Sequence, residues 1–146
     1  MMGIRYEWAD DKEIIMTVYV EYPWSWKEYL EHTEPLMKQL KEKGTPCATV
    51  VDISQMKVIP KDGNMLQILM YIDKIMPSNV FASTMVGANP MVMTFMNILT
   101  KIRPNAKRLV SFTRTLDDAY EMIYKRHQTL YPEPPLSDSH SHAKDS

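Results

Sequence analysis

Residues 47–54 read CATVVDIS, and through Val51 they lack the apolar–polar alternation of a strand that has one face in water. A continuous run of this kind is typical of a central strand of a parallel sheet, covered on both faces. Residues 80–86, VFASTMV, predict a second buried strand, and residues 108–112, RLVSF, predict the last one. The chain is therefore expected to fold around a parallel sheet.

The segment after Trp24 carries the start signals of a helix. Ser25 is followed three residues later by Glu28, the spacing of a capping box, in which each side chain bonds the backbone N–H of the other residue. Trp24 and Tyr29 stand at the staple positions around this cap and should pack on each other. Pro35 lies in the middle of the run, where we expect it to kink or split the helix.

Strands and helices alternate along the rest of the chain. Residues 4–8 and 14–20 predict a hairpin, and apolar residues at helical spacing predict helices over residues 66–76, 91–103 and 116–127. The predicted order is ββαβαβαβα, an N-terminal antiparallel hairpin followed by parallel strands with crossover helices. This order defines an α/β fold with a mixed sheet.

A change of composition near residue 130 marks the end of the predicted domain. Residues 131–146 are rich in Pro, Ser and His and are otherwise polar. Such a segment cannot bury enough surface to offset the entropy lost on ordering. We therefore predict one domain over residues 1–130, followed by a disordered tail.

Composition excludes several classes of protein. The formal net charge of −1 in 146 residues lacks the basic surplus that a nucleic-acid binder needs to neutralise phosphates. The first residues carry no basic start with an apolar run, so no secretory signal is predicted. The uncharged stretch 75–100 is broken by Pro77 and Pro90, whereas a membrane-spanning helix needs roughly 20 mostly apolar residues in one run. We expect a cytoplasmic protein with no membrane span.

With this order of elements, the chain resembles the STAS domain, the fold of anti-sigma-factor antagonists and of the cytosolic module of sulphate transporters. The resemblance spans about residues 7–124 and fits a divergent bacterial branch of the family best. It is carried by residues 50–54, VVDIS, and residues 61–63, KDG, at the start of the following helix. Residues 86–89 and 112–119 are similar to the fourth-strand turn and the last helix of the family. The resemblance implies a regulatory domain that binds an unidentified protein regulator.

One departure from the family pattern concerns its phosphorylation switch. In the antagonists a serine directly before the glycine is phosphorylated, but here Lys61 and Asp62 precede Gly63. Neither side chain has a hydroxyl that can accept phosphate. Asp62 imitates a permanently charged state only in part, since a carboxylate carries less charge than a phosphate. The resemblance therefore implies partner binding at Lys61 and Asp62 without a phosphoserine switch.

The candidate site residues follow the predicted strands, because ligands of open parallel sheets bind at the carboxyl ends of the strands. Asp52 and Ser54 are candidates to orient a partner or ligand, although short polar side chains also close turns by themselves. Gly87, Ala88 and Asn89 precede a helix whose N-terminus attracts anions. The alternative is that Asn89 only caps its own helix.

Methionine is the unusual component, with thirteen in the chain. On the third helix the apolar residues surround the whole circumference, but only one side of that helix can face the sheet. Exposed apolar surface marks an interface. We therefore predict a protein-binding surface that includes Met65, Met93 and Met96, with a homodimer through the third helix as one form. The alternative is that neighbouring helices cover the rest of the third helix.

Catalytic signals are poor. Cys47 begins a strand, at the end opposite the expected site, and is expected to be a small buried hydrophobe. His32 and His127 have no evident nucleophile nearby, and His140 and His142 offer two nitrogens on a mobile tail. We predict no enzymatic activity, no catalytic residues, no cofactor and no metal. The predicted function is a non-enzymatic, STAS-like regulatory interaction domain; the alternative is a small-molecule or lipid-binding module with an apolar pocket among the Met-rich helices.

Overall fold

The computed structural model describes residues 3–104 and 110–132 of the chain, except the side chain of Val110. In this part the strands are β1 (Ile4–Trp8), β2 (Ile15–Glu21), β3 (Cys47–Gln55), β4 (Val80–Val86) and β5 (Val110–Thr113). They form one sheet in the order β1-β2-β3-β4-β5, with β3 at its centre. The β1–β2 pair is antiparallel and the other three pairs are parallel. The predicted α/β fold is confirmed.

The helices begin and end within a few residues of their predicted positions. Helix α1 (Trp26–Lys43) runs through Pro35 without a break, so Pro35 does not split it, and a kink at this position stays a prediction. Pro35 lies on the exposed side of α1, and buried Leu36 and Met37 next to it hold the helix on the sheet. The helices are α1 (Trp26–Lys43), α2 (Met65–Ile75), α3 (Pro90–Ile102) and α4 (Leu116–Leu130).

The start of α1 confirms half of the predicted capping box. Ser25 Oγ accepts the N–H of Glu28 at 3.0 Å, and Trp24 packs on Tyr29 with ring centroids 6.1 Å apart. The carboxylate of Glu28, however, accepts the N–H of Gly3 at 2.7 Å and not that of Ser25. Because Gly3 precedes β1 at the sheet edge, this bond ties the start of the chain to the start of α1.

The helices divide unequally between the two faces of the sheet. Helices α1, α2 and α3 pack with apolar residues of one face, and α4 packs with those of the other. The strands are adjacent in chain order, so right-handed crossovers place all three connecting helices on the same face. Helix α4 follows β5, the last strand among the described residues, connects no pair of these strands, and covers the opposite face.

Two predictions fall on parts of the chain that the structure does not describe. The first two residues of the predicted last strand, 108–109, and residues 133–146 of the predicted tail, which include His140 and His142, lie outside the described residues. Cys47 is fully buried at the start of β3, as predicted. Among the described residues, no helix combines the length and the hydropathy needed to cross a bilayer.

Candidate functional site

The two turns singled out in the sequence lie side by side at the carboxyl ends of β3, β4 and β5. The Gly87 N–H donates to the carbonyl of Thr113 at 3.1 Å. Gly87 has a φ of +76°, and a Cβ atom placed on it would lie 2.7 Å from Cβ of Ser54. Both facts require glycine at this position. The structure therefore brings Ser54 and Gly87 together, on the rim where ligands of parallel sheets bind.

Asp52 and Ser54 bond to each other. Oδ1 of Asp52 accepts the backbone N–H of Ser54 at 3.0 Å and its hydroxyl at 2.7 Å. This is the turn-closing role that short polar side chains often have after a strand. A partner contact by Asp52 or Ser54 remains a prediction. The turn already orients both side chains.

The turn before α3 satisfies most of its own donors. Oδ1 of Asn89 accepts the N–H of Val92 at 2.9 Å, and the carbonyl of Asn89 accepts the N–H of Met93 at 3.1 Å. Pro90 has no N–H to offer. In the first turn of α3, the N–H of Met91 is therefore the donor that remains for a ligand. A single donor is weak support for an anion site. Capping by Asn89 accounts for this sequence, and anion binding at Gly87, Ala88 and Asn89 remains a prediction.

Residues 56–62, which we call the clasp loop, are held by the start of α1. The indole N–H of Trp24 donates to the carbonyls of Met56 and Val58, at 3.3 and 3.2 Å. The indole N–H of Trp26 donates to the carbonyl of Pro60 at 3.1 Å. These bonds satisfy backbone acceptors that lack partners in a regular element. The clasp loop is therefore fixed against α1.

Asp62 completes this attachment and is a second cap of α1. Its Oδ1 accepts the N–H of Trp26 at 3.0 Å and its Oδ2 accepts the N–H of Lys27 at 3.1 Å. The bond from Trp26 is the main cause that lowers the pKa of Asp62 below its ordinary value. A carboxylate is also favoured by the positive end of the helix dipole. Asp62 therefore holds α1, while Lys61 beside it is exposed.

Three expectations about this region need correction. Residues 61–63 do not open α2, which is capped by Asn64 through the N–H of Gln67 at 3.0 Å. Met65 and Met96 are only 8% and 6% exposed, because both point from their helices into the core. Neither can contribute to a surface that binds a partner. Of the three methionines proposed for such a surface, only Met93 is exposed.

Helix α3 does present apolar side chains to water, as expected. Met91, Ile98 and Ile102 are 57%, 37% and 49% exposed, and Phe95 between them is half-buried. Spacings of four, three and four residues place these side chains along one line of the helix. We call this line the α3 stripe (Met91, Phe95, Ile98 and Ile102). Met93 lies apart from it, beside Gly87 and Phe112 at the rim.

The remaining candidate groups are engaged in packing. Nδ1 of His32 bonds the carbonyl of Glu28 at 2.9 Å, and the ring of His127 packs 5.6 Å from that of Phe81. Burial raises the pKa of the Cys47 thiol, which keeps it protonated and a poor nucleophile. Within residues 3–104 and 110–132, no group of three His, Cys, Asp or Glu side chains is placed to hold a metal ion.

The chain matches no protein-family model, no curated protein and no solved structure. The STAS resemblance therefore remains a prediction from the sequence motifs.

Proposed function

We propose that this chain is a non-enzymatic, STAS-like regulatory domain that acts by binding a protein partner. The α3 stripe is the observation that carries the proposal. Large apolar side chains in water raise the free energy of the isolated domain, and contiguous apolar surface of this kind marks an interface. The partner surface joins the α3 stripe with Met93 and with the rim at Asp52 and Ser54.

The chemistry of α3 indicates what kind of partner fits. Met91 and Ile98 are seven residues apart, as are Phe95 and Ile102, and this is the heptad spacing of a seam between two packed helices. Lys101 is the one charged residue in α3, so little charge has to be desolvated when the stripe is covered. We therefore expect the partner to contribute an amphipathic helix.

The clasp loop supports binding by limiting its entropic cost. Trp24, Trp26 and Asp62 fix this loop before any partner arrives. A surface that is already ordered loses less conformational freedom on association. Exposed Lys61 is then presented from a rigid support, beside the carboxyl ends of the strands.

The first partner to test is a second copy of the chain. The variant Ile98→Glu places a charge on the stripe, and Thr94→Glu places the same charge on an exposed polar position of the same helix. We expect size-exclusion chromatography with light scattering to show a concentration-dependent dimer for the wild type and for Thr94→Glu, but a monomer for Ile98→Glu. A wild type that stays monomeric at all concentrations excludes the homodimer.

A different protein partner is tested in cells by a photo-crosslinking amino acid placed at residue 98 or, as the control, at residue 94. We expect one adduct of defined mass from residue 98 and none from residue 94. If the wild type is monomeric and residue 98 forms no such adduct, the proposed interaction function is wrong.

A second candidate function, the binding of a small molecule or lipid, is favoured by a specific observation. The core beneath the helices contains two adjoining voids of about 60 and about 30 Å³. Well-packed interiors contain few voids larger than a water molecule. Native mass spectrometry of freshly purified protein tests this candidate: a retained small molecule supports it, and a bare chain contradicts it.

A further inference from the structure

The two voids lie next to each other along the sheet, and we call this pair of voids the core channel. Both are lined by Tyr29 from α1, Leu69 from α2, and Val51 and Met85 from the sheet. The larger void reaches Thr49 and the smaller one reaches Ile53, four residues further along β3. At the rise of a β-strand this is about 13 Å. Together the two voids therefore extend along the strands.

The walls of the channel are adaptable. Methionine is unbranched and fills irregular spaces in several rotamers, so walls of this kind can widen without loss of the fold. Most of the remaining wall is aliphatic or aromatic. Six of the thirteen methionines line the channel: Met37, Met56, Met65, Met76, Met85 and Met96.

One polar position lies on the wall formed by the sheet. Thr49 Oγ1 donates to Ser83 Oγ at 2.9 Å. A hydroxyl has one proton and two lone pairs, so this bond leaves Ser83 with its own proton and one lone pair. Both side chains line the larger void. Ser83 can therefore still donate a hydrogen bond to, or accept one from, a molecule inside the channel.

The channel offers no positive charge to a ligand. Of the described residues that line it, none is Lys, Arg or His. Tyr29 is neutral, because burial raises its pKa, and the carboxylate of Asp73 is paired with Arg103. Burying a charged ligand group here would carry an uncompensated cost.

We propose that the core channel binds a slender, uncharged, mostly apolar molecule whose single hydroxyl or carbonyl group bonds the Thr49–Ser83 pair. This proposal rests on the second candidate function and gives it a ligand class. The small volumes of the two voids disfavour bulky ring systems, and their succession along the strands favours an unbranched chain. The absence of a cation among the described lining residues disfavours free carboxylates.

The test uses 1-octanol as the probe, below its solubility limit, with protein labelled with ¹³C on the methionine methyl groups. We expect saturable NMR shifts of the Met85 and Met37 methyl signals. Met122 lies on α4, on the opposite face, and serves as the internal control, so its signal should not move. Equal movement of all methionine signals, or no saturable movement at Met85, would overturn the proposal.

Variants locate the ligand group. Ser83→Ala keeps the space but removes a hydroxyl, and we expect about fivefold weaker binding of 1-octanol. Ser83→Leu fills the space and should abolish binding. The control Ser111→Ala removes a hydroxyl on the other face and should bind like the wild type. Wild-type affinity in Ser83→Ala and Ser83→Leu would overturn the assignment of the site.

Octanoate, of the same chain length, tests the charge requirement, and we expect it to bind at least about tenfold more weakly than 1-octanol. Binding of octanoate equal to that of 1-octanol would overturn the ligand class.

Failure of the second candidate function is distinguishable from these results. In that case native mass spectrometry finds a bare chain although 1-octanol still binds at Met85.

Discussion

The two faces of the sheet are covered in different ways. On the face of α1, α2 and α3, methionines and voids give loose packing. On the face of α4, the small side chains of Ala48, Ala82 and Ala119 allow the helix to approach closely, around Ile15 and Ile123. Because α1, α2 and α3 are each joined to a strand at both ends, they keep their places without tight packing.

Helix α4 is joined to the sheet at one end, and side chains anchor the rest of it. The hydroxyl of Tyr120 bonds Thr17 Oγ1 at 2.8 Å, and the hydroxyl of Tyr124 donates to the carboxylate of Asp10. The comparison indicates that connections at both ends help to hold α1, α2 and α3, whereas α4 depends more on packing and hydrogen bonds. A layer held by its connections can admit a ligand without losing the fold.

The largest expected effect is a loss in the free energy of unfolding that differs between the two faces of the sheet. Ile123→Ala leaves a cavity in the tight face, and we expect a loss of about 4 kcal/mol in the free energy of unfolding. Leu69 borders the core channel, where methionine side chains can move into the space that Leu69→Ala leaves. For this variant we expect a loss of about 2.5 kcal/mol in the free energy of unfolding. Urea denaturation of both variants measures the difference. A larger loss for Leu69→Ala would contradict the comparison.

The anchors of α4 provide the second prediction. Tyr124→Phe removes a half-buried hydrogen bond to the carboxylate of Asp10, and we expect a loss of about 2 kcal/mol. Burial raises the pKa of Tyr124, so its hydroxyl stays a donor at neutral pH. The matched control is Tyr71→Phe, which removes an exposed bond to the carboxylate of Glu34. Thermal unfolding should show a clear drop in Tm only for Tyr124→Phe.

The cap formed by Asp62 should matter less, because its carboxylate is exposed. We expect Asp62→Ala to lower the free energy of unfolding by about 1 kcal/mol, the usual worth of a helix cap. Since the pKa of Asp62 is lower in the folded state, its contribution is present above the usual value near 4. It is lost as the pH falls through the folded pKa.

The measurement compares the wild type with Asp62→Ala by urea denaturation at pH 6 and at pH 3. The difference between them should shrink at the lower pH. A control variant, Asp117→Ala, changes a carboxylate in the first turn of α4 and should show a smaller difference at pH 6. A difference for Asp62→Ala that does not depend on pH would show that its charge plays no part in capping α1.

The fold could be predicted because its signals are local. The uninterrupted run of β3 and the caps at Ser25 and Asn89 each depend on residues close together in sequence. The attachment of the clasp loop could not be predicted, since Asp62 and Trp26 are 36 residues apart and meet only through packing. No local pattern distinguishes a carboxylate that caps a distant helix from one in water.

The candidate site was predicted only in part, for a related reason. The carboxyl ends of parallel strands meet at one rim, so the turns with Ser54 and Gly87 were both predicted to lie at that rim. On α3, however, apolar residues surround the helix, and periodicity cannot tell which side faces the sheet. Met96 was therefore assigned to the wrong side, and the α3 stripe emerged only when the burial of each residue was known.

The smallest expected loss is that of Thr49→Val, in a comparison of a hydroxyl pair on each face. Thr84 Oγ1 bonds Ser111 Oγ at 2.7 Å beneath α4, and Thr49 bonds Ser83 beside the core channel. In Thr84→Val, Ser111 loses its partner in a tight core, and we expect a loss of about 1.5 kcal/mol. In Thr49→Val, a water molecule in the channel can bond Ser83 instead, so we expect about 0.5 kcal/mol. Urea denaturation of both variants measures the difference between the two losses. Equal losses would mean that the channel is closed to water and that the two faces of the sheet are equally tightly packed.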